Sequence, residues 1–201
     1  MKCLFCDKSI DKISIASLFL EEDKLCLDCR KQLRINKKYI YIDDLKVETF
    51  YDYDSLFKSI LLQYKECYDE ALSEVFLYLL NDYIKVKYHG YKILFVPSSK
   101  YKLDCRGFNH LELIFKNINL EKVSGLEIVE DIVQEGKSFD SRKAIIDNYL
   151  YVGGALDKVL IVDDVLTTGS SMKGVYKAIK PYSKKVKGLS LSYVRKRFHF
   201  E

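Results

Sequence analysis

One stretch constrains this chain more than any other: Val159-Leu160-Ile161-Val162-Asp163-Asp164-Val165-Leu166-Thr167-Thr168-Gly169-Ser170-Ser171. Four aliphatic residues in a row read as a strand buried on both faces, the habit of parallel sheets. Two adjacent carboxylates follow at its C-terminal end, then a hydroxyl-rich turn with one glycine, then the helical pattern Ser171 to Tyr182. Ligands of open α/β sheets bind at that edge of the strands. A helix N-terminus offers free N–H groups and the positive end of a dipole, which suit a phosphate dianion. Gly169 lets the backbone approach closely, and Thr167, Thr168, Ser170 and Ser171 add hydroxyl donors. Carboxylates beside a phosphate repel it, so Asp163 and Asp164 must serve otherwise, by accepting hydrogen bonds from sugar hydroxyls or by holding Mg2+. The plainer alternative leaves Ser170 as a helix cap and the acids exposed. Two aspartates directly after a buried strand make that alternative costly.

The rest of the chain supplies a sheet for this strand to join. Lys92-Ile93-Leu94-Phe95-Val96 ends at Pro97 and reads as a buried strand, as do Leu126 to Val133 and Val186 to Val194. Leu111 to Ile118 reads as a helix between them. Strands alternating with helices predict an α/β fold, a parallel sheet flanked by helices. Upstream, residues 52–88 read as helical. Phe57, Ile60, Leu61 and Tyr64, then Leu72, Val75, Phe76, Leu79 and Leu80, keep the i, i+3, i+4 spacing of an amphipathic stripe. That stripe is core, and Lys65-Glu66-Cys67-Tyr68-Asp69 is the interval where the helix can break. No Pro/Gly-rich linker, internal repeat or low-complexity tract divides the 201 residues.

Four of the six cysteines fall in two pairs, Cys3-x2-Cys6 and Cys26-x2-Cys29, separated by 19 residues. Two such knuckles from separate hairpins supply the four thiolates of a tetrahedral zinc ion. With every position filled by sulfur none is left for water, so the metal is expected to be structural. A redox CxxC would need a thioredoxin-like context. Loss of one ligand is expected to unfold residues 1–45 and spare the sheet. Cys67 reads as a buried packing residue, and Cys105 lies in a loop beside Arg106. No apolar run reaches the roughly 18 residues of a membrane span, and the N-terminus lacks the apolar stretch of a signal peptide. The expected location is the cytoplasm, where thiols stay reduced.

The net charge of +4 is unevenly spread. Residues 90–201 carry 19 Lys/Arg against 13 Asp/Glu, and from Val165 to Phe200 nine basic residues occur with no acidic one. A solvated face is the usual meaning of such a run. The sharper reading is a surface for phosphates, in which Lys184, Lys185, Lys187, Arg195, Lys196 and Arg197 meet single-stranded nucleic acid and Tyr176, Tyr182 or Tyr193 stack on bases. The plain alternative makes those tyrosines core residues.

The strand, acid pair and loop of 159–171 resemble the PRPP-binding motif of type I phosphoribosyltransferases. The resemblance implies that Asp163 and Asp164 bind the ribose 2′- and 3′-hydroxyls of PRPP, with Mg2+ accompanying it. Thr167, Thr168, Gly169, Ser170 and Ser171 then cradle the 5-phosphate. Tyr51-Asp52-Tyr53 followed by Leu56 to Tyr64, then Val96-Pro97, then Arg106-Gly107-Phe108-Asn109 and Leu111, is similar to the ComF family of bacterial competence proteins. This similarity runs over essentially the whole chain. That family joins a four-cysteine zinc ribbon to a phosphoribosyltransferase domain. It therefore implies a ribbon over residues 1–45 and a phosphoribosyltransferase-like domain over 46–201, with 46–90 as a helical hood. It also implies pyrophosphate contacts from Ser99, Lys100 and Arg106. The family role is natural transformation: DNA uptake and the handling of single-stranded DNA, alongside other DNA-uptake proteins. His110 stands where the family usually has Gln. The segment matching a flexible loop over the pyrophosphate keeps only Gln134, Lys137 and Arg142 of its pattern.

Three functions stay open on the sequence. One is a DNA-handling competence factor with a PRPP-binding domain. Another is an active transferase displacing pyrophosphate from PRPP with a nitrogenous base, where the protein positions groups and stabilises charge. The third is a PRPP-sensing regulator without turnover. No catalytic residue or acceptor pocket is identifiable, and His89, His110 and His199 read as surface or packing residues.

Overall fold

A computed structural model describes residues 1–10, 23–128 and 148–195. In chain order the helices are α1 (Leu27–Gln32), α2 (Ser55–Glu66), α3 (Ser73–Leu77), α4 (Asn81–Lys87), α5 (Lys100–Arg106), α6 (His110–Ile114) and α7 (Ser170–Ile179). The strands are β1 (Lys38–Ile42), β2 (Leu45–Asp52), β3 (Lys92–Phe95), β4 (Leu126–Ile128), β5 (Tyr149–Tyr151), β6 (Leu156–Leu166) and β7 (Ser183–Tyr193). The main sheet has the order β1-β2-β7-β6-β3. Its β2, β7, β6 and β3 run parallel, and β1 is an antiparallel edge turned back at Asp43-Asp44.

The α/β class expected from the sequence holds. The Val159–Val162 run lies inside β6, and the runs at 92–96 and 186–194 become β3 and β7. Leu126–Ile128 differs, since it pairs antiparallel with β5 in a separate two-stranded sheet. Residues 129–133 of that expected strand lie outside the described residues. Three strands go unread in the sequence, β1, β2 and the short β5. β2 is buried on both faces yet carries Lys46, Glu48 and Thr49 within its apolar run, so neither alternation nor an unbroken aliphatic stretch marks it.

Helices cover both faces of the sheet. On one, Phe50, Leu160, Val162, Leu189 and Leu191 share a buried cluster with Phe57, Tyr64, Phe76, Ile84 and Leu111. On the other, Val47, Leu94, Val159 and Ile161 pack against Met172, Val175 and Ile179 of α7. Each such fully buried side chain contributes about 1.5–3 kcal/mol. α2 begins where Asp54 accepts the Phe57 N–H (2.8 Å), and its stripe Phe57, Ile60, Leu61 and Tyr64 is buried as expected. The helix stops after Glu66, and Tyr68 takes φ 58 before the chain re-enters helix. Leu79 is exposed, and Leu77 fills the core position instead. Cys67 is exposed too, contrary to the packing role read from the sequence, because it caps the end of α2.

The N-terminal segment is fused to this core. Cys3, Leu25, Cys26, Cys29 and Leu33 belong to the same buried cluster as α2 and α3. Gln63 Nε2 donates to the Leu4 carbonyl (3.2 Å), and Arg30 Nη1 donates to the Val75 carbonyl (3.1 Å) while Asp23 holds its guanidinium. On β2, buried Glu48 accepts from Lys87 Nζ, Tyr83 Oη and Tyr88 Oη, each at 2.7 Å, tying α4 to the sheet. No helix among the described residues is long and apolar enough to cross a membrane.

Candidate functional site

β6 delivers the two aspartates at its C-terminal end, and strand alternation sends them to opposite faces. Asp164 lies on the side of α2 and α6 and is buried. Its Oδ2 receives both the Lys65 ammonium and His110 Nε2, the latter at 2.7 Å. Asp163 Oδ1 accepts the backbone N–H of Asp164 (2.9 Å). Asp163 Oδ2 and Asp164 Oδ1 accept no hydrogen bond from the described residues.

Lys65 and His110 come from different helices that are latched together. Lys65 follows Tyr64, one position off the buried stripe, so it leaves α2 toward the end of β6. Tyr64 Oη donates to the His110 carbonyl (2.7 Å), and Arg106 Nε donates to the Lys65 carbonyl (3.3 Å). Arg106 Nη1 lies 3.0 Å from His110 Nδ1. An arginine can only donate, so Nδ1 accepts and Nε2 carries the proton given to Asp164. The imidazole is therefore neutral. Burial lowers its pKa first, and the Lys65 and Arg106 charges add to this against the pull of Asp164. For Asp164, burial alone would raise the pKa, but Lys65 and His110 outweigh it and hold the carboxyl below the usual range. Asp163 moves the other way, pushed up by burial and then by the Asp164 charge. Two neighbouring carboxyls thus play different parts, one fixed as an anion and one able to carry a proton near neutrality.

These groups line a cavity of about 580 Å³ at the C-terminal ends of β3 and β6. Its walls are Lys65, Glu66 and Tyr68, the loop Val96-Pro97-Ser98-Ser99, then Tyr101, Lys102, Cys105 and Arg106 of α5, with His110 and Ser171. Of the sequence candidates, Ser99, Arg106, Asp163, Asp164 and Ser171 meet here. Lys100 is exposed and does not line the cavity, whereas Lys102 does. Sequence reasoning missed Lys65 altogether and found no partner for His110, which is buried and partnered at both ring nitrogens. The available signal was its place directly after the Arg-Gly-Phe-Asn element.

The loop Thr167–Gly169 turns β6 into α7. Gly169 has φ 75, and a Cβ there would come within 2.7 Å of Ile42 Cδ1. No side chain caps α7. Thr168 Oγ1 instead pairs with Ser170 Oγ (2.9 Å) and reaches the Ser170 N–H at 3.4 Å. Thr167 and Thr168 are exposed. A ten-residue helix therefore points its N-terminus out beside the acid pair.

The four cysteines form a second site. Their sulfurs all lie within 4.8 Å of one another, and Cys6 Sγ is 3.6 Å from Cys26 Sγ. Tetrahedral thiolates at the usual zinc–sulfur length stand about 3.8 Å apart, so the set fits the metal. Burial opposes ionisation of Cys3, but backbone N–H groups of Cys26, Cys6 and Phe5 outweigh it and lower its pKa to about 7. The first pair lies in a tight hairpin, with Asp7 at φ 59. The second opens α1, with Cys26 at its N-cap, not a second hairpin.

The basic tail is not one surface. Lys184 is exposed against Asp157 (3.2 Å), while Lys185 and Lys187 alternate to the other face of β7. Lys187 is half-buried with its ammonium 6.0 Å from the ring centre of Tyr88 and 5.9 Å from that of Tyr91. Arg195 lies past the far end of the strand, and Lys196, Arg197 and His199 lie outside the described residues, as do Gln134, Lys137 and Arg142. Tyr176 and Tyr193 are buried, which removes them as stacking platforms, and Tyr182 is 45% exposed against Tyr151.

No family model and no curated protein matches this chain. Among solved structures it is similar to a hypoxanthine phosphoribosyltransferase from Staphylococcus aureus, with 14% identity and a TM-score of 0.39. The match covers 64% of this chain and spans 66% of that protein's length.

Proposed function

We propose that this chain is a ComF-like protein whose phosphoribosyltransferase-like domain binds PRPP, or another 5-phosphorylated ribose, in the cavity at the ends of β3 and β6. One observation carries the reading: two unengaged carboxylate oxygens stand beside an uncapped helix N-terminus. A furanose diol donates two hydrogen bonds and matches Asp163 Oδ2 and Asp164 Oδ1. The 5-phosphate matches the first N–H groups of α7 and the hydroxyls of Thr167, Thr168, Ser170 and Ser171. Ser99, Lys102 and Arg106 face the pyrophosphate end. Mg2+ brought in with PRPP suits the ligand's own pyrophosphate oxygens.

The chain's contribution to pyrophosphate displacement would be orientation and charge stabilisation. Both ring nitrogens of His110 are engaged, so it positions Asp164 and is no free base. Zinc at Cys3, Cys6, Cys26 and Cys29 would be a closed, structural centre. The role in natural transformation, with single-stranded DNA and other DNA-uptake proteins as partners, is proposed on the family resemblance. Lys185 and Lys187, on one face of β7, are its support among the described basic residues.

Calorimetric titration of the intact protein with PRPP and with ribose 5-phosphate tests the ligand. Saturable binding that weakens about tenfold or more in Asp163→Asn is expected, since a neutral amide is a poorer partner for hydroxyls. No heat from either ligand at millimolar concentration would end the reading.

A further inference from the structure

The acid pair has its own cation. Lys65 reaches Asp164 Oδ2 from the last turn of α2, and His110 Nε2 donates to the same oxygen. The Lys65 side chain is about four-fifths buried and that of Asp164 more so, which makes this an enclosed ion pair and not a passing surface contact. It cannot swing away without releasing a buried carboxylate. Its backbone is fixed as well, by Arg106 on the Lys65 carbonyl.

Such a pair of aspartates would ordinarily suggest Mg2+. That ion requires near-octahedral oxygen ligands at about 2.0–2.1 Å and keeps several of its waters. Asp164 Oδ2 has both lone-pair directions taken by N–H donors, and Asp163 Oδ1 is turned into its neighbour's backbone N–H. A metal bridging the remaining two oxygens would share the Asp164 carboxylate with the Lys65 ammonium and be repelled by it, where the side chains of that ion pair are largely shielded from water. The donor set does not fit the metal.

We propose that Lys65 is a tethered cation that takes the place of a divalent metal at Asp163–Asp164, so that this site binds its sugar phosphate without metal bridging the acids. The choice of ligand rests on the function proposed above; the exclusion of metal does not. Two oxygens stay open for a neutral diol, and the Asp164 charge that would otherwise help recruit Mg2+ is already offset by Lys65. Lys65 is then a specificity residue. It admits hydroxyls and turns away hydrated cations.

The test has a metal arm and a ligand arm, both on the full-length protein as purified. In the first, Mn2+ is titrated into wild type, Asp164→Asn, Lys65→Met and the double variant Lys65→Met/Asp164→Asn, and bound ion is read by electron paramagnetic resonance. Wild type shows no Mn2+ site sensitive to Asp164→Asn; Lys65→Met gains one, and the double variant loses it. In the second, ribose 5-phosphate is titrated with and without excess Mg2+. Wild-type affinity stays within about twofold, whereas Lys65→Met binds at least about tenfold more weakly unless Mg2+ is present.

A wild-type Mn2+ site removed by Asp164→Asn overturns the proposal, as does a folded Lys65→Met that gains none. Mg2+ raising wild-type ribose 5-phosphate affinity about tenfold overturns it too. If ribose 5-phosphate binds under neither condition, the sugar-phosphate reading falls while the metal arm still decides the role of Lys65. Should Lys65→Met fail to fold, the wild-type Mn2+ titration against Asp164→Asn remains decisive.

Discussion

His110 Nε2 lies 2.7 Å from Asp164 Oδ2, although 54 residues separate the two in sequence. Arg106 holds the other ring nitrogen, so the histidine is fixed as a neutral donor between a guanidinium and a carboxylate. A group buried in one protonation state links the site to pH.

In the unfolded chain a histidine titrates near about 6.5, and in the folded protein His110 titrates lower. Below about 6.5 the unfolded state holds the extra proton, so the contribution of His110 is full above that pH and declines as pH falls through the folded value. His110→Gln cannot titrate and lacks this decline. Urea midpoints measured at neutral and mildly acidic pH should show the wild-type advantage over His110→Gln shrinking with acid. An advantage that stays constant contradicts a neutral ring.

Glu48 is expected to be the costliest buried carboxylate to remove. Burial would raise its pKa, but Lys87, Tyr83 and Tyr88 more than compensate and lower it. Its contribution is therefore full above the ordinary glutamate value and lost as pH falls below it. Glu48→Ala should destabilise by about 3–5 kcal/mol by leaving Lys87 beside the phenols of Tyr39, Tyr83 and Tyr88 without a counter-ion. Equilibrium urea unfolding measures this, and a loss below about 1 kcal/mol would refute it.

Gly169→Ala should harm both stability and ligand binding. The positive φ costs about 1–2 kcal/mol for any L side chain, and the methyl group collides with Ile42. Thermal melts and a ribose 5-phosphate titration check the two effects separately.

The purified protein should carry one zinc per chain, read by elemental analysis. Removing it, or substituting Cys29→Ser, should lower a single melting transition of the whole chain. Cys3, Cys26 and Cys29 share one buried cluster with α2 and α3, so residues 1–45 should not melt alone. Two separate transitions would show that the segment is independent after all.

If single-stranded DNA is a partner, its contact surface should respect the two faces of β7. Lys185→Glu should weaken oligonucleotide binding and flatten its salt dependence by about one phosphate. Lys184→Glu, on the opposite face and already paired with Asp157, should not. Gel-shift titrations over a salt series distinguish them. Equal effects from both variants would indicate a diffuse charge effect.

Features set by local chemistry were legible in the sequence. The aliphatic run into Asp163-Asp164, the glycine at the start of α7 and the two cysteine pairs each have a meaning within a dozen residues. The relations among Lys65, His110 and Asp164 did not. Nothing near Lys65 distinguishes it from a solvated lysine, because its partner arrives with a strand about a hundred residues later. β2 escaped notice for a similar reason. Its buried Glu48 looks like a surface position until Lys87, Tyr83 and Tyr88 close over it.

The position of β7 in the sheet governs the order in which this chain can be assembled. β1–β2 and β3–β6 are two strand pairs with no shared ladder, and β7 is the strand laid between them. It meets β2 across 141 residues at Asp52 and Tyr193. A nascent chain still lacking Ser183–Tyr193 can form its helices and local hairpin but has no continuous sheet. Both strand edges that will flank β7 stay open until then, a wait that long-range parallel pairing makes slow. The interval between synthesis of β6 and insertion of β7 is when this protein is most exposed to aggregation and to chaperones.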